Sequence, residues 1–208
     1  MNLPLRAFSE KESLLAYNTM EIIAIQGHRK EASGKEATRK IRTQGHVPAV
    51  IYKSGGGDAT SFSVEASALR HLVYTPKFKL AEIEMEGKKH KAIVKDIQFH
   101  PVTDEVVHID FLELVSGVKF KATVPLRFIG VAPGVKEGGK FIPTLRSVNI
   151  MTTPEKVVDE VSADISKMEL GATLRVRDIL SVDGVEVTNN GAIPIASIEI
   201  PRALRGGK

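Results

Sequence analysis

The stretch KDIQFHPVTDEVVHIDF, residues 95–111, holds two alternating runs joined by a short link. In the first, Ile97 and Phe99 point one way while Asp96, Gln98 and His100 point the other. In the second, Val107, Ile109 and Phe111 alternate with His108 and Asp110. The link 101–104 is short enough to make the runs antiparallel neighbours, which gathers Asp96, Gln98, His100, His108 and Asp110 on or near one surface. A strand pair with one apolar and one polar face commits this part of the chain to a sheet with one covered side.

Strands are predicted over 21–26, 47–53, 60–64, 79–86, 88–99 and 105–114, the last two containing this pair. Glu86-Gly87 reads as a hairpin turn between two of them. Two short helices interrupt the strands. The first is predicted from Ser33, with Glu36 completing a capping box, to a stop at Gly45. The second covers about 66–74, where Leu69, Leu72 and Val73 form an apolar stripe and Pro76 follows the end.

After Leu114 the character changes. Val118, Phe120, Ala122, Val124, Leu126 and Phe128 alternate with polar residues, a half-buried strand in which Pro125 suggests an edge or a bulge. Turn signals follow at Pro133-Gly134, Gly138-Gly139, Asp183-Gly184 and Asn190-Gly191, and the last strand-like run is 193–200. The expected organisation is therefore mostly β in two domains, 20–115 and 116–208. Residues 1–19 form an appendage with a possible short helix over 10–17. Met20 opens the first clear strand pattern, so the appendage either precedes the native start or is a disordered extension.

Composition narrows the function classes. The 208 residues include no cysteine, which removes disulfides, thiolate zinc sites and cysteine nucleophiles and fits a reducing cytosol. No apolar run approaches the roughly 18 residues of a membrane-spanning helix. The net charge of +4 is unevenly placed. Residues 27–53 carry seven bases against two acids, whereas 114–208 carry thirteen against ten. Clustered charge is what attracts phosphate.

That basic segment contains the first helix. At about 100° per residue, Lys35, Arg39 and Arg42 fall within roughly 60° of one another, with Ala37 and Ile41 on the opposite side. One face can dock while three cations point outward, with Arg29, Lys30 and Lys40 flanking them. A solvated helix would show the same spacing. Tyr52 could stack on a base or be a half-buried strand residue. Ser54-Gly55-Gly56-Gly57-Asp58 lacks the Gly-Lys-Ser/Thr ending of a phosphate loop and reads as a hairpin tip.

Three readings compete for the polar strand face. It is a solvated outer surface; or its His and Asp residues ligate a metal or move protons; or Gln, His and Asp read hydrogen-bonding edges of a nucleic acid. No His-Glu-x-x-His motif or nucleophile elbow supports the second, and the neighbouring basic segment favours the third.

Six blocks carry a family resemblance: Arg29-Lys30-Glu31, Gly34-Lys35, Arg39-Lys40-Ile41-Arg42, Val47-Pro48-Ala49-Val50-Ile51-Tyr52, Lys95-Asp96-Ile97-Gln98-Phe99-His100-Pro101 and His108-Ile109-Asp110-Phe111. In order and spacing they resemble the bacterial large-subunit ribosomal protein family number twenty-five, which binds 5S rRNA. The downstream region, with Gly134-Val135-Lys136-Glu137-Gly138-Gly139, resembles the longer general stress protein CTC type. Lys95 and Phe99 depart from the short form, as does one extra residue before Gly34. The resemblance implies an N-terminal six-stranded β-barrel with short helices and a second, mostly β C-terminal domain. It implies a cytoplasmic, structural component of the 50S subunit that grips 5S rRNA in the central protuberance, with no catalysis, cofactor or metal. The contact positions it implies are Arg29, Lys35, Arg39, Arg42, Tyr52, Gln98, His100, His108 and Asp110. Other 50S components are further expected partners, a membrane is not, and the isolated chain is expected to be a monomer. The alternatives are a stress-response interaction module acting off the ribosome and a His/Asp metal-dependent enzyme.

Overall fold

The computed structural model describes residues 20–29, 34–56 and 59–201. The appendage at 1–19, Lys30, the Ser33 cap and Gly57-Asp58 of the hairpin tip lie outside them. The chain is mostly β and divides into two compact units. One runs to Phe120 and takes in Thr153–Val157; the other holds Lys121–Thr152 and the chain from Val158 onward.

The first unit is a closed six-stranded barrel. Its strands are β1 (Ile22–Arg29), β2 (His46–Lys53), β3 (Thr60–Glu65), β4 (Leu80–Met85), β5 (Lys88–Phe99) and β6 (Val106–Glu113). Around the barrel the order is β1-β3-β2-β6-β5-β4, closed by β4 back onto β1. The β1–β4 and β2–β6 pairs are parallel and the other four antiparallel. Closure leaves no edge to template aggregation. The inward residues Ile25, Val47, Ala49, Ile51, Phe62, Val64, Ile83, Ile109 and Phe111 form one buried cluster, with the Phe62 and Phe111 rings 5.9 Å apart. Helix α2 (Ala66–Val73) adds Leu69 and Leu72 to that cluster, so the predicted stripe is a docking face.

Local signals place the connections. Glu86 and Gly87 take φ of 51° and 74°, the doubly positive geometry of a two-residue hairpin turn whose twist suits the strands. Helix α1 (Lys35–Thr43) starts behind Gly34 without a side-chain cap and ends at Gln44-Gly45. Ala37, Thr38 and Ile41 are its half-buried side, while Lys35, Glu36, Arg39, Lys40 and Arg42 are exposed.

The second unit contains a four-stranded sheet, β10-β7-β9-β12, and a three-stranded sheet, β11-β13-β8. The strands are β7 (Phe120–Ile129), β8 (Lys140–Pro143), β9 (Ser147–Thr152), β10 (Val161–Asp164), β11 (Thr173–Arg175), β12 (Val185–Val187) and β13 (Pro194–Glu199). Two sequence expectations change here. β7 is an internal strand, not an edge, and its register with β10 begins at Leu126, so Pro125 stands just ahead of a ladder that needs its N–H groups. Pro133-Gly134 is not a turn but the start of a short helix, α3 (Pro133–Lys136), where proline's missing N–H is harmless.

Gly134 is buried, and a Cβ there would stand 2.6–2.9 Å from the backbone of Glu169 and Leu170. Its N–H donates to Met168 O at 3.0 Å and its carbonyl accepts from Gly139 at 2.8 Å. The glycine therefore lets two backbones touch, and backbone cannot swing aside as a side chain can. Gly134→Ala is expected to destabilise the second unit by about 1–3 kcal/mol, the usual overpacking cost. Equilibrium urea unfolding checks this; a wild-type midpoint would show that the 169–170 segment yields freely.

Candidate nucleic-acid interface

β5 is too regular in sequence to reveal how it serves both faces. Ala92 and Val94 pack on the barrel core, and so does Ile97, which breaks the parity of simple alternation. The register resolves this: Val94 faces Phe111 and Asp96 faces Asp110, leaving Lys95 as an extra residue. Such a bulge re-aims everything after it. Asp96 and Gln98 consequently point outward opposite Asp110 and His108. Asp96 and Gln98 are exposed, His108 and Asp110 half-buried.

Two further features organise that face. His108 and Asp110, two residues apart on one side of β6, join Nδ1 to Oδ1 at 2.9 Å. Tyr52 lies on the outward side of β2, since Ile51 is a core residue and β2 runs parallel to β6 with Val50 beside Asp110. Burial raises the Tyr52 phenol above its ordinary value of 10.0, and the charges of Asp110 and Asp96 raise it further. One phenol, two carboxylates, an amide and an imidazole thus share a surface.

A second irregularity falls between Gln98 and Phe99: Gln98 faces His108 but Phe99 faces Val106, so Val107 is unpaired. Arg42 takes up the freed Val107 carbonyl, donating from Nε at 3.3 Å and Nη2 at 3.1 Å. The predicted stripe on α1 is therefore divided. Lys35 and Arg39 are exposed and in no ion pair with a described residue, whereas Arg42 braces α1 against β6. Arg29 is also engaged, in an exposed ion pair with Glu86 at 3.1 Å.

His100 does not continue the Gln98–His108 row, because β5 ends at Phe99 and the second bulge breaks the alternation. It opens the β5–β6 turn. Its N–H donates to Glu105 O at 2.8 Å, its carbonyl accepts from Asp104 at 3.0 Å, and Asp104 takes a φ of 55°. The ring Nδ1 accepts from the amides of Val102 at 3.4 Å and Thr103 at 3.2 Å. The ring lines an open groove of about 1000 Å³ together with Arg42, His46, Arg70, His71 and Tyr74. The last three come from α2 and its end, outside the residues the sequence marks as contacts. Their only signal was two adjacent bases on the exposed side of that helix. Tyr74 donates its hydroxyl to Asp104 O at 2.8 Å and packs its ring 6.3 Å from Phe99, pinning the turn.

Chemically, this arrangement is suited to hydrogen bonding and cation–phosphate attraction. Among the described residues no three His, Asp or Glu side chains converge as metal ligands, the Nδ1 atoms of His100 and His108 both being committed internally. The Tyr52 phenol yields a direct test. Folding holds its proton more tightly, so the associated stability is whole below pH 10 and is lost as pH rises through the folded value. Asp110→Asn is expected to lower the Tyr52 titration midpoint without returning it to the ordinary value, because burial is the larger cause. A ring-carbon NMR titration reads this, and an unmoved midpoint would separate Tyr52 from Asp110.

Comparison with known proteins matches the chain to the profile of the Ribosomal L25p family over residues 25–111 and to that of the ribosomal protein TL5 C-terminal domain over residues 119–202. The large ribosomal subunit protein bL25 of Porphyromonas gingivalis is 35% identical over 188 residues, covering 90% of this chain and 97% of that one. The protein of the same name from Phocaeicola vulgatus is 35% identical over 192 residues, covering 90% and 96%. That of Amoebophilus asiaticus is 34% identical over 188 residues, covering 90% and 94%.

Proposed function

The chain belongs to the bL25 family of large-subunit ribosomal proteins, a structural family and not one of enzymes, and from that premise we propose that its barrel binds 5S rRNA. As a ribosomal protein it serves as a structural part of the large subunit in the cytoplasm, in association with rRNA. The proposed division of labour gives the RNA to the barrel domain, 20–115, and contacts with other components of the subunit to the β domain that follows.

One observation supports this most: Arg42 clamps the cationic helix α1 to the same strand pair that carries the outward polar row, through the carbonyl left open by the β6 bulge. Lys35 and Arg39 on α1 supply attraction by displacing counterions. Gln98, His108 and Tyr52 supply edge and hydroxyl recognition of the kind a wide, shallow RNA minor groove permits, and Tyr52 also offers a stacking plane. Asp110 is repelled by phosphate; its place is behind His108, orienting the ring. Arg29 reaches RNA by exchanging Glu86 for a phosphate, at small cost because the pair is exposed. Anchoring these groups on a closed barrel limits the ordering entropy lost on binding.

The experiment is a salt titration of binding to 5S rRNA against a size-matched structured RNA. The double variant Lys35→Ala, Arg39→Ala is expected to weaken binding and to flatten the log–log salt dependence by somewhat under about 1 per lost phosphate contact. Arg42 is kept intact because its removal would also release the helix. An unchanged slope would take α1 out of the interface.

A further inference from the structure

The two histidines at the proposed interface each have one ring nitrogen committed inside the protein, and the commitments are of opposite kind. At His100, Nδ1 faces two backbone amides, those of Val102 and Thr103, at 3.4 and 3.2 Å. An amide N–H can only donate, so Nδ1 must carry a lone pair, and the ring proton sits on Nε2. At His108, Nδ1 faces the Asp110 carboxylate oxygen at 2.9 Å. An ionised carboxylate can only accept, so Nδ1 must carry the proton, and in the neutral ring Nε2 is left as a lone pair.

We propose that His100 and His108 present opposite hydrogen-bonding polarity to the RNA: His100 Nε2–H a donor, His108 Nε2 an acceptor. The assignment deepens the reading of the barrel as an RNA-binding surface and rests on it. His108 Nε2 then selects an RNA donor, a 2′-hydroxyl or the exocyclic amine of guanine, the groups an RNA minor groove displays as donors. His100 Nε2–H selects an acceptor, a phosphate or ribose oxygen or a minor-groove base nitrogen. A site built to meet both polarities discriminates more sharply than cations alone, because a mismatched partner leaves polar groups unpaired.

The surroundings hold each assignment. Around His108 stand Asp110 on its own strand, Gln98 directly opposite, and Asp96 opposite Asp110. Among the described residues no other donor is directed at His108 Nδ1. At His100 a second ring proton would confront the two amides and break the turn that Asp104, at φ 55°, already strains.

Asparagine separates the internal role from the external one at both positions. Its short amide reaches where Nδ1 stands, as acceptor for the turn amides in His100→Asn and as donor to Asp110 in His108→Asn, and it removes Nε2 altogether. Long-range proton–nitrogen NMR of the full, nitrogen-labelled chain at neutral pH reads the tautomers directly, the two variants identifying the signals. The expected result is His100 protonated on Nε2, His108 on Nδ1, both variants folded with the wild-type thermal midpoint, and each binding 5S rRNA about tenfold more weakly, the size of one lost hydrogen bond. Either histidine in the other tautomer overturns the assignment, as does either variant binding like wild type, even where the wild-type chain prefers 5S rRNA. A wild-type chain with no preference for 5S rRNA over a size-matched RNA overturns the broader reading, and the roles of both nitrogens with it.

Discussion

The register of β5 against β6 shifts twice, at Lys95 on β5 and at Val107 on β6. A barrel strand has one inward and one outward side, and a closed sheet leaves no freedom to slide a strand by one residue, because every side chain would exchange faces. Ala92, Val94 and Ile97 all belong to the core, so the chain needs one extra residue between them. That insertion turns Asp96 and Gln98 outward. The second insertion ends the polar row, leaves a carbonyl for Arg42 and sends His100 into the turn. Core packing and the candidate interface are therefore one geometric problem with one solution.

The electrostatics follow from that placement. Carboxylates are unusual company for a polyanion. Here Asp110 is taken up with His108, and together with Asp96 it raises the Tyr52 phenol, which keeps that hydroxyl a donor well beyond neutral pH. The acids act on their neighbours, and the neighbours meet the ligand. The cations are graded in the same way: Lys35 and Arg39 are uncommitted to any described acid, Arg29 is held by an exposed pair that water and salt weaken, and Arg42 is structural first.

The second unit adds backbone contact to the packing of its buried side chains. Gly134 and Gly139 sit where a Cβ would meet main-chain atoms of 169–170 and Gly134 O respectively, around a small cluster of Ala132, Met168 and Ile198. The motif that marks this region in sequence is thus a packing motif.

The sequence by itself determined the six barrel strands, the runs that became β7 and β13, the helices α1 and α2 with their docking faces, and the Glu86-Gly87 hairpin. These depend on the periodicity of neighbours and on turn residues, which are local quantities. It also placed Asp96, Gln98, His108 and Asp110 on one surface, since alternation within a strand needs no knowledge of its partner. Only the tertiary structure decided what depends on register and on groups far apart in the chain. Lys95 and Val107 became bulges because of what the core opposite could accept. Arg42 became a brace because the Val107 bulge left a carbonyl open, and His100 became a turn residue beside Arg70, His71 and Tyr74 because β5 stops at Phe99. β7 became internal for the same reason: strand order is fixed by which faces find partners, and no window of residues contains that information.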